Sequence, residues 1–184
     1  AIISGGWPLP EMQIPFYQAE KILDSKVINI NSRLLLCDGT ILSFVKLPGH
    51  HFDMIGVQAS TNSGKTVFYA ADGIFGRNQM KKYWIPFMLN IEEFKKSLKK
   101  IVDLHSDFLL PSHGALRNGD ETEALAELNE YAILTTEKRI CKILKNPCTA
   151  ETLLKIIFDE DKIPCRLGQY YLIGCTIRSY LSYL

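Results

Sequence analysis

LPGHHFDMIGV, residues 47–57, places two adjacent histidines directly after a Pro-Gly break, at the end of an apolar run (ILSFVK, 41–46) that reads as a strand. A histidine held where a strand stops sits on a stiff support with open space beyond it, and metal sites are often assembled in this way. Two more stretches have the same layout. VFYAAD ends an apolar run in Asp72, and FLLPSH ends another in His113 after a proline. Imidazole and carboxylate are suitable ligands for zinc, manganese or iron. Taken singly, each residue is more often a hydrogen-bonded loop residue, and spacing alone does not choose between the two readings.

Working outward, residues 26–71 read as successive, mostly antiparallel strands: KVINI, then SRLLLC and TILSFVK joined through Asp38-Gly39, then MIGVQAS and TVFYAA joined by TNSG. The SGKT at 63–66 has the ending of a phosphate-binding loop. It lacks the required glycine at position 59, where Ala59 stands, and a strand-like run follows it rather than a helix, so it is read as a turn. IEEFKKSLKKIVDLH (91–105) carries Ile91, Phe94, Leu98 and Ile101 on one helical face and lysines on the other, with Asn90 and Glu93 placed as a helix start. SDFLLPSHG reads as a short buried strand and a turn. Upstream, SGGWPLPEM is a connecting segment leading into a short helix in PFYQAEKIL.

After Gly114 the pattern turns helical. ETEALAELNEYAILTTEKRICKILK, TAETLLKIIF with Thr149 as N-cap, and LGQYYLIGCTIRSYLSYL give three helices. Two units are therefore expected, residues 1–118 and 119–184.

Composition narrows the function classes. The 184 residues are 47% apolar, enough for a core, and 21 basic against 20 acidic side chains leave a net charge of +1. No overall field draws the chain to nucleic acid or an anionic membrane. Five cysteines, odd in number and without a Cys-x-x-Cys pair, read as reduced thiols in a cytoplasmic protein. No apolar stretch approaches the roughly 18 residues of a membrane span. The start at Ala1 has no signal-peptide pattern and fits a processed, trimmed or partial chain.

In order and wording, LPGHHFDMIGV, VFYAADGIFG and SLKKIVDLHSDFLLPSHG resemble the second half of the metallo-β-lactamase superfamily. There a Pro-Gly-His turn, a strand ending in Gly-Asp and a Pro-Gly-His-Gly turn recur in that order. SGGWPL and the helix after it resemble the corresponding segment of zinc-dependent hydrolases of the glyoxalase II type, and the helices after 120 resemble a small winged-helix-like extension. The resemblance implies an α+β fold: half of an αββα sandwich, a mostly antiparallel sheet with flanking helices, followed by a small helical segment. It implies two divalent metal ions, zinc first and manganese or iron as alternatives. His50 would bind one ion, His113 the other, and Asp72 would bridge them. Aspartate at 72, where antibiotic-destroying zinc β-lactamases carry cysteine, argues against that activity. Ala71 and Ser112 stand where the family has glycine. His51 is read as a residue behind the ligands or on the pocket wall, and His105, at a helix end, as structural.

The superfamily's His-x-His-x-Asp-His motif is absent, and the four histidines, at 50, 51, 105 and 113, leave none to form it. Each ion would keep two protein ligands here, whereas catalytic zinc usually has three. The chain is therefore expected to be part of a longer polypeptide, or to be completed by another chain or a second copy, and to lack the β-hairpin that would close a winged helix. The implied activity is hydrolysis of a small ester or thioester by a metal-activated water. The rival reading is a nucleic-acid-binding or nuclease protein using Lys138, Arg139, Lys142 and Lys145 on the first tail helix. A third reading has the Tyr-rich tail as a dimerisation surface.

Overall fold

The computed structural model describes residues 27–82 and 85–184; the helix expected in PFYQAEKIL lies outside them. Among these residues six strands form one sheet in chain order: β1 (Leu34–Leu35), β2 (Ile41–Lys46), β3 (Ile55–Ser60), β4 (Thr66–Ala71), β5 (Phe108–Pro111) and β6 (Arg117–Asn118). All neighbours are antiparallel except β4 and β5, which are parallel. Among the described residues, five α-helices complete the α+β architecture: α1 (Arg77–Lys82), α2 (Ile91–Asp103), α3 (Thr122–Ile143), α4 (Ala150–Glu160) and α5 (Leu167–Tyr183). No helix among the described residues is long and apolar enough to cross a membrane.

The expected hairpin forms at Asp38-Gly39. Gly39 adopts φ +82°, Leu36 N–H donates to the Thr40 carbonyl at 2.8 Å, and the Asp38 carboxylate accepts from Thr40 N–H at 2.9 Å. KVINI departs from its expected strand. Ser32 N–H donates to the Asn29 carbonyl and the Asn29 side chain accepts from Asn31 N–H, so local asparagine hydrogen bonds turn the chain at Ile30–Asn31.

Period-2 alternation gives the sheet two different faces. On the inner face Ala70, Phe68 and Leu109 are buried with Ile91, Phe94, Leu98 and Ile101 of α2 in one apolar cluster, and Gly56 is buried against Phe68. On the outer face the register aligns Leu34, Leu42, Ala59, Val67 and Phe108 in one row and Phe44, Val57, Tyr69 and Leu110 in the next. Every one of these is half-buried or exposed, so a continuous apolar sheet face has no described element packed over it.

Across the boundary read at 118/119, Leu125, Ile133, Ile140, Ile173, Ile177 and Tyr180 join the same apolar cluster as α2. Thr149 caps α4 as expected, accepting from Thr152 N–H at 3.1 Å.

The parallel β4–β5 pair is fixed at its start by Asp107. One carboxylate oxygen accepts from Thr66 N–H (2.9 Å) and Thr66 Oγ1 (3.0 Å), the other from Lys65 Nζ (2.6 Å). The lysine first, then the Thr66 donors, push this carboxyl down from 3.8 to about 2. A depressed folded-state value means stability that is present above pH 3.8 and lost as pH falls through 2. Asp107→Asn should accordingly unfold more easily than the parent at pH 7, and the gap should close between pH 4 and pH 2 in chemical denaturation. A gap that persists unchanged at pH 2 would show that charge is not what Asp107 contributes.

Candidate metal centre

Topology brings the three candidate residues together. β2 and β4 are each antiparallel to β3, and β5 is parallel to β4, so β2, β4 and β5 all run the same way. Their C-terminal ends therefore open at one edge of the sheet, and the segments leaving them carry His50, Asp72 and His113. His50 Nε2 lies 3.4 Å from one Asp72 carboxylate oxygen, and His113 Nε2 lies 3.7 Å from the other.

Backbone strain sits directly before two of the three. Gly49, before His50, has φ +137°, and its carbonyl accepts from Leu89 N–H (2.8 Å) and Asn90 N–H (3.0 Å) at the start of α2. Ser97 Oγ of α2 donates to the Pro48 carbonyl at 2.7 Å, holding the same loop from below. Ala71, before Asp72, has φ +49°, a left-handed conformation in which glycine would be free of the Cβ penalty. The register also shifts between Tyr69 and Ala71, so the strand re-aims the aspartate as it ends. His113 is positioned by its neighbour: Ser112 N–H donates to the Ala71 carbonyl (3.0 Å), and Ser112 Oγ meets the Tyr69 hydroxyl at 2.9 Å.

The protonation of His50 follows from its contacts. Its Nδ1 lies 2.8 Å from the Phe87 carbonyl, and since a carbonyl only accepts, Nδ1 carries the proton. Nε2 then presents a lone pair to the Asp72 oxygen. Burial pushes the imidazole below its ordinary value, and the Asp72 charge and the Phe87 carbonyl oppose that shift only in part.

Ligand geometry supplies the fit test. With bonds of about 2.0–2.2 Å at tetrahedral angles, two ligand atoms on one zinc ion stand about 3.4 Å apart. The His50–Asp72 separation of 3.4 Å matches such an edge and the His113–Asp72 separation of 3.7 Å is slightly longer, through different oxygens of the same carboxylate. In chemistry, the imidazole and carboxylate donors of His50, Asp72 and His113 suit divalent ions. Among the described residues, no three His, Cys, Asp or Glu side chains could enclose a single ion.

His51 is exposed, with its ring beside Phe52 and its Nδ1 3.5 Å from Asp53 N–H; it does not line the cavity at the site. His105 lies just beyond α2 and is exposed at φ +46°. The basic tail residues have partly separate engagements: Arg139 donates to Glu160 (2.7 and 3.0 Å) and Asp161 (2.6 Å). What the sequence left unread is the wall around the site. A cavity of about 340 Å³ opens on His50, Asp72 and His113, and its far side is built by Gln169, Leu172 and Ile173 of α5. Phe75 and Phe87 confine the His50 ring edge-on, at centroid distances of 5.9 and 5.2 Å.

The sheet and its flanking helices match part of the metallo-β-lactamase fold. A metallo-β-lactamase family protein of Thermus thermophilus superposes with a TM-score of 0.64 at 18% identity, over 85% of this chain and 48% of its own. An archaeal metallo-β-lactamase superfamily protein of Sulfolobus tokodaii is matched with a TM-score of 0.42 at 16% identity, over 55% of this chain and 38% of its own. The chain thus spans about half the length of the Thermus structure. No protein-family model and no curated protein matches the sequence.

Proposed function

We propose that this chain carries half of the binuclear centre of a metal-dependent hydrolase acting on a small ester or thioester. The observation that carries the reading is Asp72, whose two oxygens face different histidine Nε2 atoms at 3.4 and 3.7 Å. His50 would hold one ion and His113 the other. Zinc is the first choice for an imidazole and carboxylate set, with manganese and iron as alternatives. Divalent ions there would supply Lewis acidity toward the carbonyl under attack. The chain's own residues prepare for that role. The Phe87 carbonyl holds the Nδ1 proton of His50, burial favours the neutral form of the ring, and Phe75 and Phe87 pack against it edge-on.

The remaining ligands would come from a second sheet packed on the open apolar face, provided by the rest of a longer polypeptide. The outer apolar rows of the sheet, half-buried except for the exposed Tyr69, and the half-length match to the Thermus structure support this. A cytoplasmic setting, the glyoxalase II-like branch and a winged-helix-like role for α3–α5 belong to the same proposal. Measuring zinc per protein by elemental analysis tests it. His50→Ala, Asp72→Ala and His113→Ala should each weaken zinc retention by at least about tenfold, Asp72→Ala most because it serves both ions. Equal zinc in parent and variants would sink the proposal, as would a zinc-free parent in a longer polypeptide containing both sheets.

A further inference from the structure

The cavity above the candidate ligands has a chemical character of its own. Its walls are Phe75, Ile85, Pro86 and Phe87 from the segments after β4 and α1, closed by Leu172 and Ile173 of α5. Apart from the three candidate ligands, the polar groups among the described lining residues are two neutral amides, Gln79 of α1 and Gln169 of α5. No lysine or arginine is among them. Phosphate and carboxylate groups are recognised by guanidinium or ammonium groups, or by bundles of backbone N–H donors, and a wall of this kind gives them no such partner. An alkyl or acyl chain gains from each methylene it buries there, about fourfold in affinity per methylene. The volume of about 340 Å³ is at the small end of ligand sites, suited to one short chain rather than a polymer.

We infer that this cavity receives the acyl chain of a neutral, apolar ester or thioester, with α5 as the specificity element and Gln79 and Gln169 as its uncharged hydrogen-bonding partners. The inference rests on the hydrolase reading for the reaction but not for the pocket. Leu172 and Ile173 lie well over a hundred residues from His50 in sequence, yet α5 is anchored beside the site. Thr176 Oγ1 accepts from Met88 N–H at 3.1 Å, and Ser179 Oγ donates to the Leu89 carbonyl at 2.9 Å. The same helix that forms the wall is thus tied to the segment carrying Phe87, the acceptor for His50.

Amide NMR titration of the full chain, first chelator-treated and then zinc-loaded, tests it with butanamide, hexanamide and hexyl phosphate as probes. In the chelator-treated protein, hexanamide should bind about fifteenfold more tightly than butanamide and shift the signals of Phe75, Gln169, Leu172 and Ile173. Hexyl phosphate should bind there at least about tenfold more weakly than hexanamide, and Leu172→Lys should reverse that order. Hexyl phosphate binding as well as hexanamide in the chelator-treated parent would overturn the inference, as would loss of the chain-length effect. If Leu172→Lys does not fold, the probe comparison in the parent decides alone. Zinc content, measured on the same samples, judges the metal reading separately: a protein without zinc that still prefers hexanamide keeps the pocket and loses the hydrolase.

Discussion

Gly49→Ala should lower the unfolding free energy by about 4 kcal/mol, combining the cost of a forbidden backbone angle with that of a steric overlap. At φ +137° an L-residue is strained whatever space surrounds it. Space is also lacking, because an added Cβ would meet Phe94 N at 2.5 Å and its Cβ at 2.6 Å. Phe94 is fully buried in α2 and cannot give way, and the Gly49 carbonyl is committed to two N–H donors at the start of that helix. For a chain of this length the loss corresponds to a fall in Tm of roughly 10 °C. Gly64→Ala is the matched control. It shares a positive φ of +76° but has nothing within 4 Å of the added carbon, so it should cost only about 1 kcal/mol. If the two variants melt together, the LPGHH loop is not seated on α2. If Gly49→Ala falls as expected, the loop that presents His50 is braced by the core rather than by the site.

That bracing explains which parts of the molecule could be read from sequence. β2, β3, β4, α2 and the three tail helices each carry a period long enough to register, and the structure contains all of them. α1 does not, because RNQMKK offers one apolar residue in six and no stripe. β6 is two residues long and exists through pairing with β5, a contact that leaves no local pattern. KVINI had the composition of a strand, but Asn29 offered the backbone that follows it nearer partners, through its side chain and its carbonyl. His50, Asp72 and His113 were legible because each follows a strand whose apolar run is itself legible. Their surroundings were not. The group that sets the His50 tautomer is a backbone carbonyl, which no residue type announces, and the α5 wall reaches the site only through tertiary packing. Ala71 was legible as a departure from the resembling family, and its φ of +49° gives the reason glycine is favoured there.

Asn129→Leu should be nearly as damaging as Gly49→Ala, for a different reason, costing about 3–5 kcal/mol from hydrogen bonds left unmade in the interior. Asn129 lies on α3 and is 2% exposed. Its amide grips the backbone of Phe75 on both sides: Oδ1 accepts from Phe75 N–H at 3.0 Å and Nδ2 donates to the Phe75 carbonyl at 2.9 Å. The second Nδ2 hydrogen donates to the Leu125 carbonyl at 2.8 Å, so the side chain is fully engaged. Leucine conserves the volume but leaves a buried donor and acceptor on Phe75 without partners, each costing about 1–3 kcal/mol. Phe75 stands three residues after Asp72 and edge-on to His50, so its release should also loosen the two groups proposed to share an ion. Urea denaturation read together with zinc content separates the effects. Lower stability with undiminished zinc would confine Asn129 to the fold. Loss of both, with Gly64→Ala retaining its zinc, would mean that a helix beyond residue 118 holds the candidate metal centre in shape, tying the tail to the chemistry through one buried amide.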